Sequence, residues 1–202
     1  MNLYGSANSP YTRKVRIVLA EKGIDCSFDL VSTTAPDTQV TRHNPLGKVP
    51  VIRRDDGTTL FDSRVIVEFL DNVSPGSRLI PEEHDARIAV RRWEALADGV
   101  LDAGILIRYE LAREAPLQSS AWIERQMGKI DRGLAEMARE LADKPWCHGH
   151  AYSLADVSFA CCLGWLAFRF PEIDWRAKYP NLARHFDRLL ARPAHADTAP
   201  KG

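Results

Sequence analysis

The sequence predicts two domains of different class, a small α/β domain over residues 1–75 and an all-helical bundle domain over 82–202. Three observations carry this. Strand-like and helix-like runs alternate through the first part of the chain. Ser74-Pro75-Gly76-Ser77 then breaks every periodicity, the best linker signal in the sequence. Beyond Pro81, apolar residues recur at helical spacing only.

Asn2 to Tyr4 reads as a short strand ending in a turn rich in Gly, Ser and Asn. Ser9 offers an N-cap and Pro10 stands at the first helical position, where its missing N–H costs nothing. Tyr11, Val15, Val18 and Leu19 share one face of that helix, and Gly23 closes it. A second strand follows over Cys26 to Val31, with Phe28 and Leu30 on one side. Ser32 to Asn44 is polar and is assigned to no element. Val49 to Arg53 and Thr58 to Phe61 flank Asp55-Asp56-Gly57, a hairpin signal, and Asp62-Ser63 caps a helix carrying Val65, Ile66, Phe69, Leu70 and Val73.

In the second domain Ala89, Trp93, Leu96, Val100, Ile107 and Leu111 fit one long helix broken near Ala115-Pro116. Ile123, Met127, Ile130, Leu134, Met137 and Leu141 form the stripe of an antiparallel bundle helix. Ser153-Leu154-Ala155-Asp156 resembles a capping box, and the helix behind it is apolar nearly all round, which places it at the bundle centre. Pro180 starts a last helix through Leu182, Phe186, Leu189 and Leu190.

Charge narrows the partners. The 27 Lys and Arg balance 27 Asp and Glu, nine of each within residues 1–76 and eighteen of each beyond. No domain-wide basic field exists to bind nucleic acid, and no stretch is long and charge-free enough to span a membrane. The four cysteines are too few and too poorly spaced for a disulfide framework, and the N-terminus lacks a secretory pattern. The chain is expected to be cytoplasmic, with a small molecule or a protein as partner.

Three segments carry chemistry, and each has a plain structural alternative. Ser9 is a good N-cap, yet the amides of a helix start favour an anion, and a hydroxyl there can donate to a thiolate and depress its pKa. Asn44-Pro45-Leu46-Gly47-Lys48-Val49-Pro50 reads as a turn before an edge strand. It also reads as a cis Val49–Pro50 bond that turns the Val49 backbone toward an extended ligand, with Lys48 available for a carboxylate. Phe61-Asp62-Ser63 is a helix cap, or a pair of groups suited to an amine and a carboxylate. All three could meet at one edge of a small sheet. Cys147-His148-Gly149-His150 lacks the paired spacing of a structural zinc site and reads as a loop, so no metal is expected.

These motifs, with Ser153-Leu154-Ala155-Asp156, make the chain similar over its full length to the cytosolic glutathione S-transferases. Glu94-Ala95-Leu96-Ala97-Asp98-Gly99 and Asp102-Ala103-Gly104 add a resemblance to a bacterial subgroup. The resemblance implies a thioredoxin-like glutathione-binding domain, a helical domain carrying an electrophile pocket at the seam, and a homodimer of detoxifying transferases. It implies Ser9 as the group activating the glutathione thiol and Val49, before a cis Pro50, as the backbone partner of the cysteinyl part. Asp62 and Ser63 would hold the γ-glutamyl end, and Lys48 the glycyl carboxylate. Tyr11, Arg108, Tyr109 and Trp165 would line the pocket, and Asp98 or Asp102 would reach the partner's site. The implied reaction adds glutathione to a small apolar electrophile or reduces an organic peroxide. Serine where thiol-dependent relatives carry cysteine excludes a mixed disulfide at Ser9, and the absence of a Ser-Ser-Cys signature argues against an isomerase. The alternative is a non-catalytic protein-interaction module of the starvation-protein type.

Overall fold

The computed structural model describes residues 1–35 and 38–200. The chain divides into two compact units, one of Met1–Ile80 with the segment from Arg192 onward and one of Pro81–Ala191.

The first unit is thioredoxin-like. Its elements run β1 (Asn2–Gly5), α1 (Pro10–Glu21), β2 (Ser27–Leu30), α2 (Val40–His43), β3 (Val51–Arg53), β4 (Thr59–Leu60) and α3 (Ser63–Val73). The strands form one sheet in the order β2-β1-β3-β4, with β1 parallel to β2 and antiparallel to β3. The strands are shorter than their sequence signals at both the second strand and the hairpin. Leu30, on the same side of β2 as Phe28 and opposite Gly5, is 68% exposed. The core of the unit forms where α1 packs against α3 beneath the sheet, through the fully buried Val15, Ile17, Val18, Ile66 and Leu70 with Leu3, Val51 and Ile52.

Buried charge ties the linker to this unit. Lys22 Nζ lies 3.0 Å from Asp71 Oδ1 and also donates to the Ser77 carbonyl at 2.9 Å. The Asp71 carboxylate accepts the Leu79 and Ile80 amides at 2.8 and 3.1 Å. A carboxylate so surrounded by donors is satisfied despite its burial. The 192–200 segment, expected in the helical domain, joins the first unit instead. Arg13, itself buried in α1, donates to the His195 carbonyl at 3.0 Å, and Arg192 forms a two-pronged pair with Glu21 at 2.9 and 2.6 Å. That segment includes the short α9 (Pro193–Ala196).

The second unit holds α4 (His84–Leu111), α5 (Ser120–Leu141), α6 (Leu154–Arg169), α7 (Trp175–Lys178) and α8 (Pro180–Leu190). Every residue of α6 from Leu154 to Leu166 is buried, as an all-round apolar helix requires. Gly133 lets α5 close on α4, because a Cβ there would lie 2.3 Å from Val100 Cγ2. No helix among the described residues is long and apolar enough to cross a membrane.

Candidate active site

The sheet topology gathers the three candidate segments. β1 ends at Gly5 and leads into α1. β3 runs antiparallel to β1 with Val51 opposite Tyr4, so the start of β3 lies at the end of β1. β4 runs back along β3 with Leu60 opposite Ile52, which returns the chain to the same end before α3 begins. The starts of α1, β3 and α3 therefore share one end of the sheet.

Ser9 is the N-cap of α1. Its Oγ accepts the Thr12 amide at 3.2 Å, and its hydroxyl proton has no acceptor among the described residues. Pro10 occupies the first turn, where its missing N–H is no loss. Tyr11 is half-buried, with the buried Lys14 ammonium 6.0 Å from its ring centre.

The turn before β3 is built by Asn44, which is 3% exposed. Its Nδ2 donates to the Lys48 carbonyl at 2.9 Å and its Oδ1 accepts the Leu46 amide at 3.0 Å. Its backbone carbonyl accepts the Gly47 amide at 2.9 Å. Gly47 sits at φ 62°, in the left-handed region that glycine enters without penalty. The Lys48 side chain points into solvent, and the peptide between Val49 and Pro50 is cis. Val49 lies beyond the last β1–β3 pair, so its backbone is outside the ladder. The sequence displays Asn44 but gives no sign that its amide clamps the turn at both ends.

Asp62 caps α3, its Oδ1 accepting the Arg64 amide at 2.9 Å and the Ser63 hydroxyl at 3.3 Å. Ser63 is 2% exposed, whereas Asp62 is open to solvent. The Phe61–Asp62 peptide is also cis.

The remaining expected residues lie in the second unit. Trp165 is buried against Gly104 and Phe170, its ring 5.8 Å from that of Phe170. Arg108 follows Gly104 by one turn of α4, while Tyr109, 68% exposed, points about 100° further round the helix. Asp98 is buried within the unit, and Asp102 is the exposed member of that pair.

The loop Cys147–His150 leads into a buried polar cluster that the sequence does not reveal. Asp156 accepts the amides of Cys147 and Ser153 at 2.9 and 3.0 Å and faces His185 Nε2 at 2.8 Å. Cys147 Sγ lies 3.6 Å from the same His185 nitrogen, giving three potential metal-ligating groups in close proximity. Arg188 decides their chemistry. Its Nη2 is 2.6 Å from His185 Nδ1, and a guanidinium only donates. Nδ1 therefore accepts, Nε2 carries the proton and donates to Asp156, and no nitrogen lone pair faces the cluster. Burial, reinforced by Asp156, pushes the Cys147 thiol well up.

Residues 8–73 match the family model for the glutathione S-transferase N-terminal domain, and residues 120–188 match that for the C-terminal domain. The uncharacterized GST-like protein YibF of Escherichia coli K12 is 36% identical over 200 residues, covering 99% of this chain and 98% of that protein. The chain belongs to the glutathione S-transferase family. A glutathione S-transferase from Methylobacillus flagellatus, solved with glutathione bound, is 50% identical over 99% of both chains, with a TM-score of 0.97. A family member from Pseudomonas fluorescens Pf-5, solved with S-(propanoic acid)-glutathione, is 38% identical. It covers 100% of this chain and 99% of its own, with a TM-score of 0.88. The two family-model matches fall on the units that carry the starts of α1 and α3 and the helices α5 and α6.

Proposed function

We propose that the chain is a serine-type glutathione transferase that binds glutathione on the first unit and joins its sulfur to a small electrophile, or uses it to reduce an organic peroxide. The observation that carries this reading is the Ser9 hydroxyl at the start of α1, bonded through its oxygen to the Thr12 amide and with its proton free to donate. A thiolate placed there accepts that proton and meets the positive end of the helix, and both favour the ionised sulfur over the thiol. The ionised sulfur is the nucleophile. Glutathione-bound relatives support the choice of thiol.

The other groups orient the tripeptide. Val49 offers an N–H and a carbonyl outside the ladder for an extended ligand. Asp62 accepts from the γ-glutamyl ammonium through the carboxylate edge not used in capping. The γ-glutamyl carboxylate draws the Ser63 hydroxyl from Asp62 and gains a further donor in the first-turn amide of α3. Lys48 meets the glycyl carboxylate. Pairing of two copies, a cytoplasmic location and a detoxifying role belong to the same reading and rest on family membership.

Replacing Ser9 by Ala tests it. The expected result is a bound thiol whose pKa, read by ultraviolet titration of the thiolate, rises by about 1–2 units, the worth of one hydrogen bond to a charged group. Glutathione affinity should change little. An unaltered thiolate titration would show that Ser9 is not the activating group. Failure of the wild type to bind immobilised glutathione, or to turn over a generic aryl halide once bound, would favour the interaction-module or ligand-binding readings respectively.

A further inference from the structure

We propose that Arg108 and Arg169 form a carboxylate-binding site on the second unit, so that the co-substrate is an electrophile with an acid group at one end and an apolar body. The word co-substrate rests on the transferase reading above; the anion site stands on the second unit alone.

The helix packing brings the two arginines together. A Cβ on Gly104 would lie 2.7 Å from Trp165 Cζ3, so α4 and α6 make their close approach there. Arg108 and Arg169 stand one turn further along each helix, at the i+4 position of the same rows. Burial, and after it the charge of Arg108, lowers the Arg169 pKa. Arg169 Nε is sealed from solvent and has no hydrogen-bond acceptor among the described residues.

Five arginines of the unit face carboxylates, Arg91 with Glu94, Arg92 with Glu140, Arg113 with Glu110, Arg139 with Glu136 and Arg176 with Asp187. Arg125, Arg132 and Arg184, which pair with none among the described residues, stand exposed, whereas Arg169 is half-buried. No carboxylate among the described residues pairs with Arg108 or Arg169. A half-buried guanidinium with a second, exposed cation one helix away is stabilised when an anion joins them. Two planar guanidinium forks suit a carboxylate. The Phe168 ring, 4.2 Å from the Arg169 guanidinium carbon, supplies an apolar surface beside the charge. A ligand that is acid at one end and apolar beyond it fits this juxtaposition; a wholly apolar one leaves both cations uncompensated.

The test is a fluorine NMR titration of the full chain with 4-fluorocinnamate and with its neutral amide, in the absence of glutathione. The acid is expected to bind at least about tenfold more tightly than the amide, close to the discrimination of one charge-assisted contact. Arg169→Gln and Arg108→Gln should each abolish most of that preference, and Arg169→Lys should restore part of it. Equal binding of acid and amide, no detectable binding of the acid at millimolar concentration, or a preference untouched by both Gln variants would overturn the proposal. Glutathione binding, measured separately by calorimetry, should be the same in wild type and variants. Its absence in the wild type would remove the transferase reading while leaving the acid-to-amide ratio to decide the anion site.

Discussion

Asn44 holds the turn before β3 with one side chain, its amide bridging the Lys48 carbonyl and the Leu46 N–H. Truncating it leaves two partly buried backbone groups without their partner, so Asn44→Ala should lower stability by about 1–2 kcal/mol in urea unfolding. Lys48 and Val49 hang from the same turn, and glutathione affinity by calorimetry should fall about five- to tenfold with it. Unchanged affinity would detach the turn from ligand binding. Ser9, Asp62 and Ser63 are legible in the sequence because capping is a local matter: the cap and the amides it serves are neighbours in the chain. Asn44, Arg169 and Lys22 are not, because their partners are chosen by the fold. Arg169 reads as the basic end of a helix until α4 brings Arg108 against it.

At the level of elements, α6 depends on its cap more than its composition suggests. Its apolar surface is buried all round, yet its N-terminus is fixed by Asp156, which accepts two amides and the His185 ring proton in a site closed to water. Asp156→Ala should cost about 3–5 kcal/mol, because it leaves two buried amides and the His185 ring proton without an acceptor at about 1–3 kcal/mol each, whereas Ser153→Ala should cost about 1 kcal/mol. Chemical denaturation of both variants checks the order, and equal costs would reduce Asp156 to an ordinary cap. Long periodic elements were the most readable part of the chain. The pattern from Ala89 to Leu111 and that from Ile123 to Leu141 name α4 and α5 because periodicity accumulates with length. The four-residue helices α2, α7 and α9 carry too few residues to show a period, and the strands shrink to the residues that find ladder partners.

At the scale of the whole molecule, the balance of 27 charges of each sign gives no overall field to draw an anion, so the proposed sites must rely on local groups: Lys48 and the helix starts in one unit, the arginine pair in the other. The linker was legible because proline and glycine interrupt every pattern there, but the return of the chain end to the first unit was not. It depends on the buried Arg13 finding the His195 carbonyl across most of the sequence. A chain ending at Ala191 should therefore lose protection of the α1 amides in hydrogen exchange by about tenfold or more, while the α5 and α6 amides keep theirs. Equal protection in both chains would make the segment a passive tail. The same segment sets a schedule for synthesis. The sheet-bearing unit is assembled from both ends of the chain, with residues 81–191 a long insertion between its pieces. On the ribosome the helical unit is fully translated before the other has its final part, so the N-terminal unit, first to emerge, is the last to be complete.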